Sequence, residues 1–105
     1  MEAVTEPVLL ILLSLAEQPR HGYAILKDTE EMSNGRVRLS TGTLYGALHR
    51  LLGEGWIERF KDEDNSRGKQ AYRLTSLGRR NLQQEVSRLK SLARVASLRT
   101  ARKEI

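Results

Sequence analysis

One stretch of this chain trades helical periodicity for strict alternation, and that stretch sets the order in which the rest must fold. Up to residue 53 apolar side chains mostly recur at three- and four-residue steps, whereas after Gly55 the segments "WIERFK" and "QAYRLT" alternate apolar and polar positions, as half-buried strands do. The intervening "DEDNSRG" is dense in turn residues, so the pair predicts a hairpin with a polar, partly basic tip. Helical spacing resumes after Thr75. The expected order is three helices, a hairpin and one long helix: mainly α with a small β-hairpin.

Within that order each helix carries its own start signal. Thr5 can N-cap the first helix, with Pro7 in its first turn, and "VLLILLSLA" then runs apolar on nearly every side until Pro19 and Gly22 interrupt it. A helix in a small chain is apolar all round only where both faces are covered. The second helix, residues 21 to 32, directs Tyr23, Ile25, Leu26 and Met32 toward a core and Lys27, Asp28, Glu30 and Glu31 toward water. "SNG" stops it and "RVRL" follows as an extended link. Ser40 caps the third helix, whose Leu44, Leu48, Leu51 and Leu52 share one side, and Gly53 and Gly55 mark its end. On the hairpin, Trp56, Phe60, Tyr72 and Leu74 read as core residues.

Thr75 caps a last helix of about 25 residues, on the order of 38 Å at about 1.5 Å per residue. In it Leu82, Val86, Leu89, Ala93 and Ala96 step by four, three, four and three, an a/d seam over two heptads that Leu92, Val95 and Leu98 widen. Such a seam either folds back on its own core or meets a second copy, and this one is wider than a single small domain covers. Residues 1–75 are therefore expected to form the compact unit and 76–105 a dimerisation helix.

At 105 residues the chain has room for one modest core, and with no cysteine it has neither disulfides nor thiolate metal sites. The acidic "MEAVTEP" is unlike a secretory leader and the apolar run after it is too short to span a bilayer, so a cytoplasmic location is expected. The net charge of +5 is unevenly placed: residues 1–35 hold two Lys/Arg against six Asp/Glu, whereas residues 36–105 hold sixteen against seven. The basic part is where a polyanion would bind.

Three helices followed by a hairpin, with net positive charge from the third helix onward, is the order of a winged helix-turn-helix with an added C-terminal helix. Opposite Leu44, Leu48 and Leu51 the third helix presents Gly42, Gly46, His49 and Gly53, flanked by Tyr45, Thr43 and Arg50. Glycine inside a helix costs roughly 1 kcal/mol against alanine, so glycines on one exposed face suit the close approach of another surface such as a DNA groove. Ser40, Thr41 and the first-turn amides suit a phosphate. The Tyr45 hydroxyl either reaches another phosphate or packs half-buried. His49 and Arg50 are the candidates for base edges, and Arg50 alternatively binds phosphate. Arg59 and Lys61 share the Ile57 side of the hairpin, and Arg67 and Lys69 at its tip are the better phosphate candidates.

The segments "HGYAI" at 21–25, "GTLYGALHRLLGEGWIE" at 42–58 and "AYRLTSLGRR" at 71–80 resemble the signature segments of the PadR family of bacterial transcriptional regulators. The resemblance implies a winged-helix homodimer that binds double-stranded DNA at inverted repeats, usually as a repressor. It gives Thr43 and Tyr45 weight as recognition-helix residues, although many relatives have proline where this chain has Gly46. It also implies a dimer interface built from the first and last helices, here Leu9 and Leu12 with Leu82, Val86, Leu89, Ala93 and Ala96. The short C-terminal part resembles the family's branch with a single dimerisation helix. Some relatives bind phenolic or drug-like effectors between subunits, but this last helix has no aromatic residue and the sequence places no effector site.

Catalysis is disfavoured by the residues themselves. His21 and His49 lie on different helices, no cluster has metal-ligand spacing and no glycine-rich loop follows a strand, so no cofactor or metal is expected. A protein-interaction module is the stronger alternative, since winged helices also bind proteins, but it predicts an apolar or acidic third-helix face. Membrane binding is not expected, because a dimer seam claims the apolar residues of the last helix.

Overall fold

A computed structural model describes residues 4–61 and 70–101 of the chain. Its elements follow the order α1 (Glu6–Glu17), β1 (Arg20–His21), α2 (Gly22–Met32), α3 (Thr41–Gly53), β2 (Ile57–Phe60), β3 (Ala71–Leu74) and α4 (Ser76–Thr100). Hydroxyl caps start three of the four helices: Thr5 accepts from the Val8 amide, Ser40 from Thr43 and Thr75 from Gly78. At α2 the capping position is His21, whose side chain makes no capping bond.

The hairpin is part of a three-stranded antiparallel sheet of order β1-β3-β2, with Arg20 opposite Tyr72, and Ile57 and Arg59 opposite Leu74 and Tyr72. Alternation cannot reveal a two-residue strand, and side-chain anchoring holds this one in place. The Arg20 Nε donates to the Ser14 carbonyl at 3.1 Å, and its guanidinium pairs with Glu17 and lies 3.6 Å from Asp28, which ties β1 to both neighbouring helices.

α1 runs through the middle of the molecule, packed against α2, β3 and α4, which accounts for its lack of a polar face. Val8, Ile11, Leu12 and Leu15 form the core with Ile25, Leu44, Leu48, Leu51, Ile57, Tyr72 and Leu82. Leu12 and Leu82 therefore have no surface left for a second copy, which corrects their place in the expected dimer interface. Leu9 is only half-buried and Val86 packs against the core from its edge. The second helix also departs from expectation. It buries a narrow stripe of Gly22, Ile25 and Thr29, so Tyr23 projects away from the core and Met32, in the last turn, lies exposed.

Ser14 lies in the middle of this core, fully buried, and its hydroxyl has no hydrogen-bond partner among the described residues. An unmet buried hydroxyl costs about 1–3 kcal/mol in desolvation. Ser14→Ala is expected to leave stability unchanged or raise it by about 1 kcal/mol in denaturant unfolding; a clear loss would mean that the hydroxyl is bonded in solution.

The start of α4 is locked to the end of the helical core. The Thr75 amide donates to the Trp56 carbonyl at 3.0 Å, and its hydroxyl donates to the Gly55 carbonyl at 2.6 Å. Gly78 lies so close to Trp56 that an added Cβ would overlap the Trp56 carbonyl and stand 3.1 Å from its Cα. From this clamp α4 crosses α1, burying Leu82 and half-burying Val86 and Leu89, so the core runs continuously across residue 75. From Lys90 onward every described residue of α4 is exposed, including Leu92 (55%), Val95 (48%) and Leu98 (65%). The projecting end gives extents of 64 × 28 × 21 Å and a radius of gyration of 16.0 Å, against about 13 Å for a compact chain of about 100 residues.

Candidate nucleic-acid interface

α3 is divided sharply along its length. Leu44, Ala47, Leu48 and Leu51 are buried, whereas Thr41, Gly42, Thr43, Tyr45, Gly46, His49, Arg50 and Gly53 are exposed, as is the capping Ser40. All six site residues expected on this helix and its cap thus lie on one continuous outward surface. Arg67 and Lys69, expected at the wing tip, lie outside the described residues.

Ser40 is already committed locally. Its hydroxyl accepts from the Thr43 amide at 3.0 Å and donates to the Thr43 hydroxyl at 2.9 Å. These bonds hold the first turn and leave the Thr41 and Gly42 amides facing outward without helical partners. Arg50 makes no ion pair among the described residues, whereas Arg36, Arg73 and Arg88 are engaged by Glu6, Glu58 and Glu85. A guanidinium without a carboxylate is the one that an anionic partner can claim without breaking a bond. Nothing lies within 4 Å of the position a Cβ would take at Gly46 or Gly53. The chain's own packing therefore does not require glycine at either place.

Tyr45 is both exposed to solvent and packed against its own chain. It is half exposed, yet a Cβ placed on Gly22 would overlap its hydroxyl and stand 3.0 Å from its Cζ. Gly22, read in the sequence as a helix interruption and as part of the segment "HGYAI", is thus the seat on which the α3 tyrosine rests. Beside this seat is an open cavity of about 530 Å³ lined by His21, Gly22, Tyr23, Ala24, Tyr45, Gln70 and Tyr72. Burial pushes the Tyr72 phenol above its ordinary value and the nearby Tyr45 adds to this, while Arg59 pulls the other way. The Tyr72 hydroxyl is accordingly protonated at neutral pH and able to donate. Sequence reasoning missed this cluster because its members come from four elements, β1, α2, α3 and β3; only the "HGY" spacing hinted at it.

Elsewhere on the sheet Phe60 is partly exposed, with the Arg73 guanidinium 4.8 Å over its ring. Among the described residues no group of three or more His, Cys, Asp or Glu could hold a metal ion. No described helix is long and apolar enough to cross a membrane.

Helices packed around α1, with an exposed third helix followed directly by an antiparallel strand pair, define a winged helix-turn-helix protein. The model of the PadR-like transcriptional regulator family matches residues 11–84. The chain belongs to that family, whose members are transcriptional regulators and not enzymes. It is 36% identical over 84 residues to a transcriptional regulator of Mycobacterium tuberculosis, covering 80% of this chain and 76% of that one. It is also 36% identical over 88 residues to an uncharacterised 37.1 kDa protein of a Streptomyces fradiae transposon, 84% of this chain but only 23% of that protein's length. Among solved structures, a PadR family regulator from Clostridium difficile superposes with a TM-score of 0.77 at 23% identity, over 92% of this chain and all of that one. Bacillus subtilis PadR, solved in complex with operator DNA, superposes with a TM-score of 0.64 at 24% identity, over 74% of this chain and 45% of that one.

Proposed function

We propose that this PadR-family regulator is a homodimeric, sequence-specific DNA-binding protein that acts in the cytoplasm as a repressor at inverted-repeat operators. The observation that carries the reading is the outward face of α3: polar, narrow, sterically open at Gly46, and bearing an Arg50 that makes no ion pair among the described residues. In this reading the Thr41 and Gly42 amides and the Thr41, Thr43 and Tyr45 hydroxyls hold the backbone, and His49 and Arg50 face the base edges. Arg67 and Lys69 hold the backbone from the wing. In this reading α3 enters the major groove, and the solved complex of Bacillus subtilis PadR with operator DNA supports DNA as the partner.

The dimer rests on α4. Leu92, Val95 and Leu98 leave the body of the subunit uncovered, and an isolated half-helix is marginal in water. A second copy crossing here, on a surface of Leu9, Val86, Leu89, Ala93 and Ala96 continued by the three exposed side chains, completes the apolar face. It places two α3 helices about 34 Å apart, one turn of DNA.

Selection of genomic fragments with the purified protein, followed by a salt titration on the recovered site, tests the function. One inverted repeat should be recovered, with affinity falling steeply as salt rises; recovery of no preferred sequence, or salt-independent binding, overturns it. Gly46→Ala separates groove contact from folding. It is expected to raise stability by up to about 1 kcal/mol, because alanine is the better helix former, while weakening operator binding in an anisotropy titration. A variant that binds as tightly as the parent would show that no surface approaches Gly46.

A further inference from the structure

α2 ends on an asparagine followed by a glycine, and the way it ends bears on the chemistry of that pair. The Asn34 amide donates to the Glu31 carbonyl at 3.1 Å, and the Gly35 amide to the Glu30 carbonyl at 2.8 Å. With Ser33 at the capping position, this is the paired arrangement that closes a helix on a left-handed residue. Asn34, at φ 54°, is that residue, and Gly35 follows at φ 79°. Asparagine is among the few side-chain-bearing residues that enter this region readily. Ser33 pins the far side of the turn: its hydroxyl accepts from the Val37 amide at 2.9 Å and lies within donating distance of the Glu30 and Val37 carbonyls.

Asn34 is exposed, and no described atom lies within 4 Å of the position a Cβ would take at Gly35. Because glycine has no Cβ, its main-chain nitrogen reaches the preceding side-chain amide carbon with little hindrance. The pair is therefore chemically primed and open to water. What restrains it is hydrogen bonding, since the nitrogen that would attack is held through its proton on the Glu30 carbonyl.

We propose that Asn34 is a site of self-modification by deamidation, held closed by the folded turn and reacting in molecules whose turn has opened. The Gly35 nitrogen forms a bond to the Asn34 Cγ and loses its proton to water, and the side-chain nitrogen leaves as ammonia. Water then opens the cyclic imide at either carbonyl, leaving aspartate, or isoaspartate with the main chain rerouted through the side chain. Either carboxylate stands at the carbonyl end of α2, where the helix presents partial negative charge beside Glu30 and Glu31. Isoaspartate also lengthens the main chain by a carbon, so the Gly35 amide no longer meets Glu30. Residues 36–40 lead from this turn to the α3 cap, held by Arg36 on Glu6 at 3.0 Å and by the partly buried Leu39 against the core. A turn that does not reclose thus displaces the start of α3 and weakens DNA binding; this last step alone rests on the proposed function.

The test follows the mass of peptides containing Asn34 from the full chain, incubated folded and in urea at one pH and temperature. Deamidation should be at least about tenfold slower in the folded chain, because it waits on opening of the turn. Ser33→Ala leaves the Asn34–Gly35 pair untouched and removes the hydroxyl that pins Val37. It should fold, by circular dichroism, and when folded deamidate about threefold faster than the parent, yet equally fast in urea. Asn34→Gly, which gives the left-handed position to glycine, should melt no lower than the parent and form no acid at this turn. Equal rates in the folded and unfolded parent, faster reaction in the folded chain, or a folded Ser33→Ala that reacts like the parent would each overturn the proposal. The isoaspartate fraction, separated by ion exchange, should bind operator more weakly than the amide form; equal binding would overturn the link to α3. If the masses behave as described but neither fraction selects DNA, the modification site stands and the DNA-binding function falls.

Discussion

Replacing Val95 and Leu98 together with glutamate is expected to produce monomers by light scattering and to weaken operator binding by about a hundredfold or more. Both side chains lie outside the subunit's own core, so the change should not unfold the winged helix. Two carboxylates in an apolar seam, however, would be buried without partners on every approach of a second copy. Loss of the dimer converts one bivalent binding event into two independent half-site contacts, and linkage of two modules is worth about 10² to 10⁴ in affinity. A double variant that stays dimeric would place the interface elsewhere. One that is monomeric yet binds with parental affinity would remove the need for two recognition helices.

Gly78→Ala should have the largest effect on folding of any glycine-to-alanine change among the described residues. The new Cβ would stand inside the Trp56 carbonyl and beside the Trp56 Cα, and backbone cannot step aside as the tip of a side chain can. Thr75 binds the same carbonyl through its amide and Gly55 through its hydroxyl, so relief requires breaking the clamp that sets the direction of α4. Overpacking a rigid site costs about 1–3 kcal/mol and sometimes more. A loss of about 3 kcal/mol corresponds to a Tm lower by at least about 10 °C in a domain of this size, measured at fixed protein concentration. Gly22→Ala provides the contrast. There the obstacle is the hydroxyl end of Tyr45, which can swing outward, so stability should fall less while the tyrosine loses its seat. Equal losses at the two glycines would mean that the Trp56 backbone yields as readily as a side chain.

Much of this protein is legible in its sequence because the relevant physics is local. Thr5, Ser40 and Thr75 cap their helices as their positions predict, since a cap needs only the three residues that follow it. The switch to alternation after Gly55 located β2 and β3, and the apolar steps of α3 separated its buried leucines from its outward polar residues. Those signals, together with the family segments, determined the class of protein and the face on which to look for its partner.

What needed the tertiary structure depends on residues distant in sequence meeting in space. Periodicity shows that a helix has an apolar face but not what covers it. Leu12 and Leu82, assigned from the sequence to a dimer interface, fill the subunit's own core because α1 lies between α2, β3 and α4. Leu92, Val95 and Leu98 differ from them only in lying past the point where α4 leaves that core. The strand at Arg20–His21 is too short for any pattern and exists through the anchoring of Arg20. The clamp at Gly78 and the seat at Gly22 are likewise contacts between separate elements. Local spacing decided which elements form, and only packing decided which surfaces remain for a partner.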